Sequence, residues 1–424
     1  MSAMMAKLQT GGWITRERLR IWPLAVLVAS LAGMIYLLAT SNGLNDYQGR
    51  PIGTDFSNIY AGGTYVLDGN AGVAFDPPKQ HEREQAIFGA ATPFYAWSYP
   101  PFLLFVAGAL ALMPYVTALA VWQGTTLLLY LGMIWMVLRA VCTRAGVAAN
   151  LVTRDWLWLL LALAYPAVFV NIGHGHNGFL TAALLGSALV VLDSRPALAG
   201  ILFGLMAYKP QFGVMIPLVL LATGRWRAIA SATATVIVLC IATTMAFGPD
   251  VWRAFLDSMP FTREVVLEQG GTGWHKLPTV FAWTRMWGGS VPLAYALQGA
   301  LAIALGGALC WLWRSAAAFP LKAAALTIAS ILATPYSLDY DMVALAPAIA
   351  FLAADGFARG FAPWEKTALA LLWFTPLIAR NLAEQTLIPL GVPAVLLVLA
   401  LVLRRAAADA GLFARWHSAA HPVK

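Results

Sequence analysis

Four short stretches of this chain gather carboxylates, amides, imidazoles and phenols inside otherwise apolar sequence. The first, GTDFSNIYAGGTYVLDG (Gly53 to Gly69), holds Asp55, Asn58 and Tyr60. The second, NIGHGHNG (Asn171 to Gly178), holds His174, His176 and Asn177; the third places Lys209 and Gln211 around Pro210; the fourth, ATPYSLDYDM, holds Asp339, Tyr340 and Asp341. A carboxylate such as Asp55 can take the proton of an attacking hydroxyl within hydrogen-bond reach. It could equally do no more than complement a helix dipole, worth a few tenths to about 1 kcal/mol. Two histidines at i and i+2 could ligate a metal, but no third ligand lies nearby, and a polar hinge or a hydrogen-bonding site for a headgroup fits the flanking glycines and asparagines better. A lone lysine amid apolar residues costs about 2.5–3.5 kcal/mol on insertion scales unless it meets a cavity or partner, so Lys209 is functional, paired with an acid such as Asp193, or snorkelling.

The elements that must position these groups are membrane helices. The chain has 424 residues, 60% hydrophobic and 11% charged, with 17 Trp, and its mean hydropathy is +0.72. That composition excludes a soluble multidomain protein and makes nucleic acid an improbable partner for the net charge of +8. Cys142, Cys240 and Cys310 are isolated and carry no metal or disulfide pattern. The basic N-terminus (Lys7, Arg16, Arg18, Arg20) followed by residues 21–40 reads as a retained signal anchor.

Taking roughly 20 apolar residues per span, with about 17 tolerated, the chain is expected to be an all-α polytopic bundle of about twelve spans in a single integral-membrane domain, 1–424. The runs are 21–40, 98–113, 116–138, 156–172, 177–193, 197–222, 228–247, 291–313, 320–335, 338–354, 365–380 and 386–403. Alternation from a cytoplasmic N-terminus puts Arg225/Arg227, Arg314/Lys322, Arg359/Lys366 and Arg404/Arg405/Arg415 inside. It also puts 139–155, with Arg139, Arg144 and Arg154, outside against the positive-inside rule. The alternative makes 98–113 re-entrant and breaks 197–222 at Lys209-Pro210, which restores the rule and turns His174 and His176 outward; the unbroken twelve-span order is preferred. Either way, two polar segments, 41–97 and 248–290, face outward.

Within 41–97 the sequence predicts a helix over 55–67, capped by Thr54 and stopped at Gly69, and a second starting at Asp76-Pro77-Pro78 and ending near Gly89. Helical spacing aligns Asp55, Asn58, Gly62 and Tyr65 on one side. The adjacent mid-helix glycines, each costing about 1 kcal/mol against Ala, suggest close approach of another helix or a ligand. Tyr99-Pro100-Pro101 reads as a structural helix start. In 248–290, Trp252, Phe255, Trp274, Phe281, Trp283 and Trp287 suit the headgroup layer. Arg263, Glu264, His275 and Lys276, with Arg380 and Glu384, add further charge on that side.

GTDFSNIYAGG, YPP, NIGHGHNG and AGILFGLMAYKPQ, in that order over the first half of the chain and continued by TPYSLDYDM, resemble glycosyltransferase family 87, the polyprenol-phosphate-mannose-dependent membrane enzymes of GT-C type. The resemblance implies a GT-C-like bundle with short juxtamembrane helices in the first outer loop. It also implies transfer of a sugar, usually mannose, from a polyprenyl-phosphate donor to an acceptor hydroxyl of an envelope glycolipid or glycan at the outer face of the cell membrane. Asp55 matches the family's catalytic aspartate. One base suffices for direct displacement with inversion, because a polyprenyl phosphate is already a good leaving group. Its developing charge calls for cations or hydrogen-bond donors, for which Lys209, Lys276, Arg263 and Arg380 are candidates. No cofactor is implied, and a metal ion is left open. The competing expectation is a transporter or lipid flippase using Lys209 and the outer polar groups, although transporters hold their ligands at the midplane rather than on juxtamembrane helices. A ligase moving a whole glycan from undecaprenyl diphosphate is a rival among enzymes.

Overall fold

A computed structural model describes residues 2–95, 97–146 and 153–411; Arg415, expected among the inner basic residues, lies outside them. The described residues are helical throughout, joined by turns and short bridges. A short α1 (Ala3–Thr10) precedes the long apolar α2 (Arg18–Ala39). Two helices of the next polar segment follow, α3 (Thr54–Leu67) and α4 (Pro77–Phe88), then the short α5 (Leu103–Ala111) and the 30-residue α6 (Tyr115–Arg144). Helices α7 (Leu157–Leu163) and α8 (Pro166–His174) form one path bent by 46°. Next come α9 (Gly178–Val191), α10 (Pro196–Leu205), the single turn α11 (Pro210–Gly213) and α12 (Met215–Ala222). The rest comprises α13 (Trp226–Phe247), α14 (Asp250–Phe261), α15 (Val280–Met286), α16 (Val291–Arg314), α17 (Phe319–Leu332), α18 (Ala346–Arg359, continuing a 3-10 stretch Asp339–Leu345), α19 (Glu365–Thr386) and α20 (Gly391–Asp409). Six helices among the described residues are individually long and apolar enough to cross a bilayer. The chain is an all-α polytopic membrane protein.

Ion pairs define the two faces of the bundle. Arg16 bonds Asp155 at 2.7 Å, the Trp364 N–H bonds the Gln9 carbonyl at 2.7 Å, and Arg314 donates to the Ala222 carbonyl at 2.8 Å. Asp193 is held by Arg144 at 3.5 Å and by Arg225 at 2.8 Å. Residues 144, 155, 193, 222, 225, 314 and 364 therefore lie on the face of the N-terminus, which corrects the alternation that sent 139–155 to the other side; residues 147–152 of that segment are outside the described set. Among the twelve expected runs, 98–113 and 197–222 do not form one unbroken helix of spanning length. Helix α5 lies beside α3 and the chain then starts α6 at Tyr115, whose hydroxyl reaches the Ile52 carbonyl at 2.6 Å. Helices α10 and α12 form a hairpin whose ends, near Asp193 and Arg225, share one face and whose tip is Lys209. Each arm belongs to the apolar helices of 10–17 residues, short for a hydrocarbon core of ~30 Å.

The glycine pair of α3 is explained by packing. A Cβ on Gly63 would lie 2.1 Å from the Ala107 carbonyl oxygen of α5, and one on Gly62 would lie 2.8 Å from the Trp97 ring. Helix α4 begins as expected, with Asp76 accepting from the Lys79 N–H and Pro77 in the first turn. The cap of α3 differs: Gly53, at φ 73°, precedes the helix and Thr54 makes no cap bond, its hydroxyl turning instead to the 174–177 turn. Phe281, expected in the headgroup layer, is fully buried with Leu267, Leu277 and Tyr340, whereas Trp287 is exposed.

The face assignment makes a direct prediction. In a background with the three native cysteines replaced, Ala145→Cys and Ala90→Cys will react with a membrane-impermeant thiol reagent in vesicles of opposite orientation. Labelling of both from one side would refute the topology.

Candidate active site

The four polar motifs, far apart in sequence, converge at the end of the bundle away from the N-terminal face. Asp55 occupies the first turn of α3, with its side chain 18% exposed, and its Oδ1 lies 3.8 Å from Nδ1 of His174. The Thr54 hydroxyl is 2.7 Å from the same nitrogen. The Tyr340 hydroxyl lies close enough to the Asp55 carboxylate to favour its charged form. Around Tyr340 the imidazoles are layered: His176 stacks on its ring with centroids 3.6 Å apart, and His174 meets it edge-on at 5.3 Å. Tyr99, from the Tyr-Pro-Pro motif taken as purely structural, hydrogen-bonds Nε2 of His176 at 3.1 Å through its hydroxyl.

The turn between α8 and α9 is fixed from α6 and from within. The Gln123 amide donates to the His176 carbonyl at 3.1 Å, the Trp122 indole to the Gly175 carbonyl at 3.2 Å, and the Asn171 amide spans the His176 carbonyl and the Gly178 N–H. Gly175 adopts φ 61°, and a Cβ there would lie 2.6 Å from the Phe56 Cβ and 3.3 Å from the Gly53 Cα. The turn and the start of α3 thus meet backbone to backbone. Asn177 is fully buried with neither amide atom paired to protein, so buried water or substrate must serve it.

Lys209, at the hairpin tip, bonds Asp341 at 2.5 Å, and both side chains are buried. The other Asp341 oxygen accepts the Leu338 N–H at 3.0 Å. The partner is thus Asp341, not Asp193, which serves arginines on the opposite face. Gln211 is half-buried just beyond the tip. On the other flank, Asp339 bonds Arg380 at 3.1 Å, and a cleft lined by Trp274, His275, Lys276, Asp339 and Arg380 opens beside it. Lys276 feels the charges of Arg380, Asp339 and Asp55.

Other candidates are placed elsewhere. Tyr60 donates to the Met113 carbonyl at 2.9 Å and packs on Tyr115, a scaffold contact. Asn58 is buried against α4, where its carbonyl accepts from Gln80. Arg263 is exposed and pairs with Glu264 and Glu268. Among the described residues no three His, Cys, Asp or Glu side chains gather as a metal site.

Electrostatics separates the acids of the juxtamembrane layer. Burial pushes the Asp55 carboxyl above its ordinary value, opposed by His174 and by the Tyr340 hydroxyl. That makes it a stronger base than a solvated carboxylate. Glu84 of α4, fully buried and bonded through one oxygen to the Tyr95 N–H at 3.1 Å, is pushed up to about 9 by burial, with Asp55 adding to the rise. It is a neutral acid at pH 7. Burial lowers the Lys276 ammonium, with Arg380 adding to the effect.

The model of glycosyltransferase family 87 matches residues 97–335, which contain Tyr99, the histidine turn and Lys209. No curated protein and no solved structure matches the chain.

Two stability predictions follow from the buried charges. Lys209→Met, which strands the Asp341 carboxylate, will destabilise the detergent-solubilised protein by about 3–5 kcal/mol, and Lys209→Met/Asp341→Asn will recover most of the loss; equal unfolding temperatures for the single and double variants would contradict the pairing. Because the folded Glu84 holds its proton more tightly than the unfolded chain, its contribution is complete below its ordinary value of 4.5 and is lost as pH rises towards about 9. Glu84→Gln will therefore raise the unfolding temperature relative to the unmodified protein at pH 9 more than at pH 4.5, and a pH-independent difference would show Glu84 to be ionised in the fold.

Proposed function

The chain belongs to glycosyltransferase family 87, and we propose that it moves a sugar, with mannose the choice the resemblance implies, from a polyprenyl-phosphate donor to an acceptor hydroxyl of an envelope glycolipid or glycan. The observation that carries the reading is the partly exposed carboxylate of Asp55, held in the first turn of a juxtamembrane helix near a cleft that carries Lys276 and Arg380. In this mechanism Asp55 takes the proton of the acceptor hydroxyl while its oxygen attacks the anomeric carbon. The bond from that carbon to the phosphate oxygen breaks with its electron pair, and the configuration inverts. Raised basicity suits the task, since a base is most effective when its pKa approaches the working pH.

The departing phosphate needs positive charge where its own develops. Lys276 and Arg380 line the cleft, whereas Lys209 is neutralised by Asp341 and Arg263 is occupied by glutamates. We assign the phosphate to Lys276 and Arg380, with His275 beside them. Tyr340 and the histidine turn orient Asp55, and the fixed dipoles around them spare the reorganisation that water would require. The outward orientation rests on the positive-inside rule: Arg16, Arg144, Arg225, Arg314, Arg359 and Arg405 gather on the N-terminal face, so the site end looks away from the cytoplasm of the cell membrane. The isoprenoid tail then lies along the apolar exterior of the bundle, in contact with lipid.

Asp55→Asn will lower sugar transfer from a polyprenyl-phosphate donor in membranes by about 10²–10⁴-fold without lowering expression. The unmodified enzyme will lose activity on acidification at a pH above the ordinary carboxylate range, because transfer requires the ionised form of a group whose pKa is raised. Undiminished transfer by Asp55→Asn would remove it from the role of base.

A further inference from the structure

His174 has so far only an orienting part in the displacement, yet its ring nitrogen approaches the Asp55 carboxylate to 3.8 Å. Its side chain is 26% exposed, against 18% for Asp55 and 2% for His176. Nδ1 meets both the Thr54 hydroxyl at 2.7 Å and Asp55 Oδ1 at 3.8 Å. The Thr54 contact is made possible because Gly53 takes the position before α3 and frees the hydroxyl from capping. The ring is braced edge-on by Tyr340, and its turn is bound through main-chain carbonyls by Trp122 and Gln123. His176, by contrast, is fully enclosed and stacked, bonded to Tyr99. Two histidines two residues apart therefore have opposite settings, one sealed and one open.

We propose that His174 is the proton-clearing partner of Asp55: its Nδ1 receives the proton that Asp55 abstracts from the acceptor, and the ring passes it to water. This rests on the glycosyl-transfer reading above. In each turnover the acceptor O–H proton goes to Asp55 as the new C–O bond forms and the phosphate leaves with the electron pair of the broken bond. A carboxylic acid is then left in a site with little water, where it cannot serve the next acceptor. Transfer of that proton to the imidazole regenerates the carboxylate, and the partly exposed ring releases the proton to solvent. No oxidant, reductant or further substrate enters the balance. The 3.8 Å separation closes by a small rotation about the Asp55 side chain, with Thr54 keeping the ring in register. The other titratable and charged groups facing this pair are Tyr340 with Asp339 from the 3-10 stretch, Tyr336 just before it, His176 from the same turn, Glu84 from α4, Tyr95 and Tyr99 ahead of α5, Lys276 of the cleft, and the Lys209–Asp341 pair behind them.

The test compares His174→Gln, which retains volume and a polar end toward Thr54, and His174→Ala in the full-length protein in membranes. Transfer is measured across pH with and without added imidazole. Both variants are expected to lose at least tenfold in kcat with little change in donor KM and to shift the acidic limb of the pH profile. Imidazole will restore part of the His174→Ala activity, filling the space of the missing ring, and will leave Asp55→Asn unaffected. Unchanged pH profiles with no response to imidazole would overturn the proposal. If His174→Ala is not folded by thermal unfolding, the His174→Gln profile decides alone, an unshifted limb counting against the role. Failure of the parent reading is distinct: Asp55→Asn would then transfer sugar as well as the unmodified enzyme, whatever the His174 variants do.

Discussion

Everything at the active end of the molecule depends on the buried pair of Lys209 with Asp341. Two charges taken out of water are tolerated only when each meets the other at short range and their remaining hydrogen-bonding capacity is used, and here the second Asp341 oxygen takes the Leu338 N–H. The pair joins the tip of the α10–α12 hairpin to the strap between α17 and α18. That strap carries Tyr340 and Asp339, the first facing the Asp55 carboxylate and the second binding Arg380. A hairpin with no unbroken helix of spanning length is thereby given a reason to reach where it does. The pair also removes Lys209 from competition for substrate phosphate, leaving the cleft cations Lys276 and Arg380 for that role in the proposed mechanism.

Beyond this tie the site is built by division of labour between layers. The spans supply fixed, buried partners, such as Tyr165, whose hydroxyl holds the Met342 carbonyl at 2.9 Å. The juxtamembrane layer supplies the partly exposed carboxylate of Asp55. It is bonded to the second polar segment through Ser98 and Thr262 at 3.1 Å and through the Phe75–Phe255 contact. Asp339 and Arg380, bonded at 3.1 Å, stand between that carboxylate and the cleft that holds Lys276.

Much of this was legible in the sequence. The polar motifs announced themselves because charge and imidazole are expensive in an apolar chain, and Asp55, His174, His176, Lys209, Asp339, Tyr340 and Asp341 all meet. What the sequence concealed has physical causes. Apolar runs such as 98–113 and 197–222 satisfy a length criterion whether they cross or turn back, and only contacts such as Asp193 with Arg144 and Arg225 decide between the two. The partner of Lys209 is 132 residues away, beyond any periodicity. Glu84 gave no signal because its neighbours His81, Glu82, Arg83 and Gln85 are polar, and Tyr99 was masked by the two prolines that explained its segment so well. The expected cap at Thr54 failed because a glycine took that place and released the hydroxyl for longer-range use.

The contact of Gly53 with Gly175 has a consequence for how this site can change over time. Because two main chains approach there, the backbone positions of Asp55 and His174 are set by peptide geometry, leaving only their side-chain rotations to adjust the gap. A side chain at Gly175 would press on Phe56 and Gly53, and Gly53 sits at a φ of 73° that few other residues adopt, so the two loci, 122 residues apart, share a fate. Variation among descendants of this chain should therefore flow around that point, into the cleft and the outer loops, where recognition of the acceptor can diversify while the reacting geometry stays still.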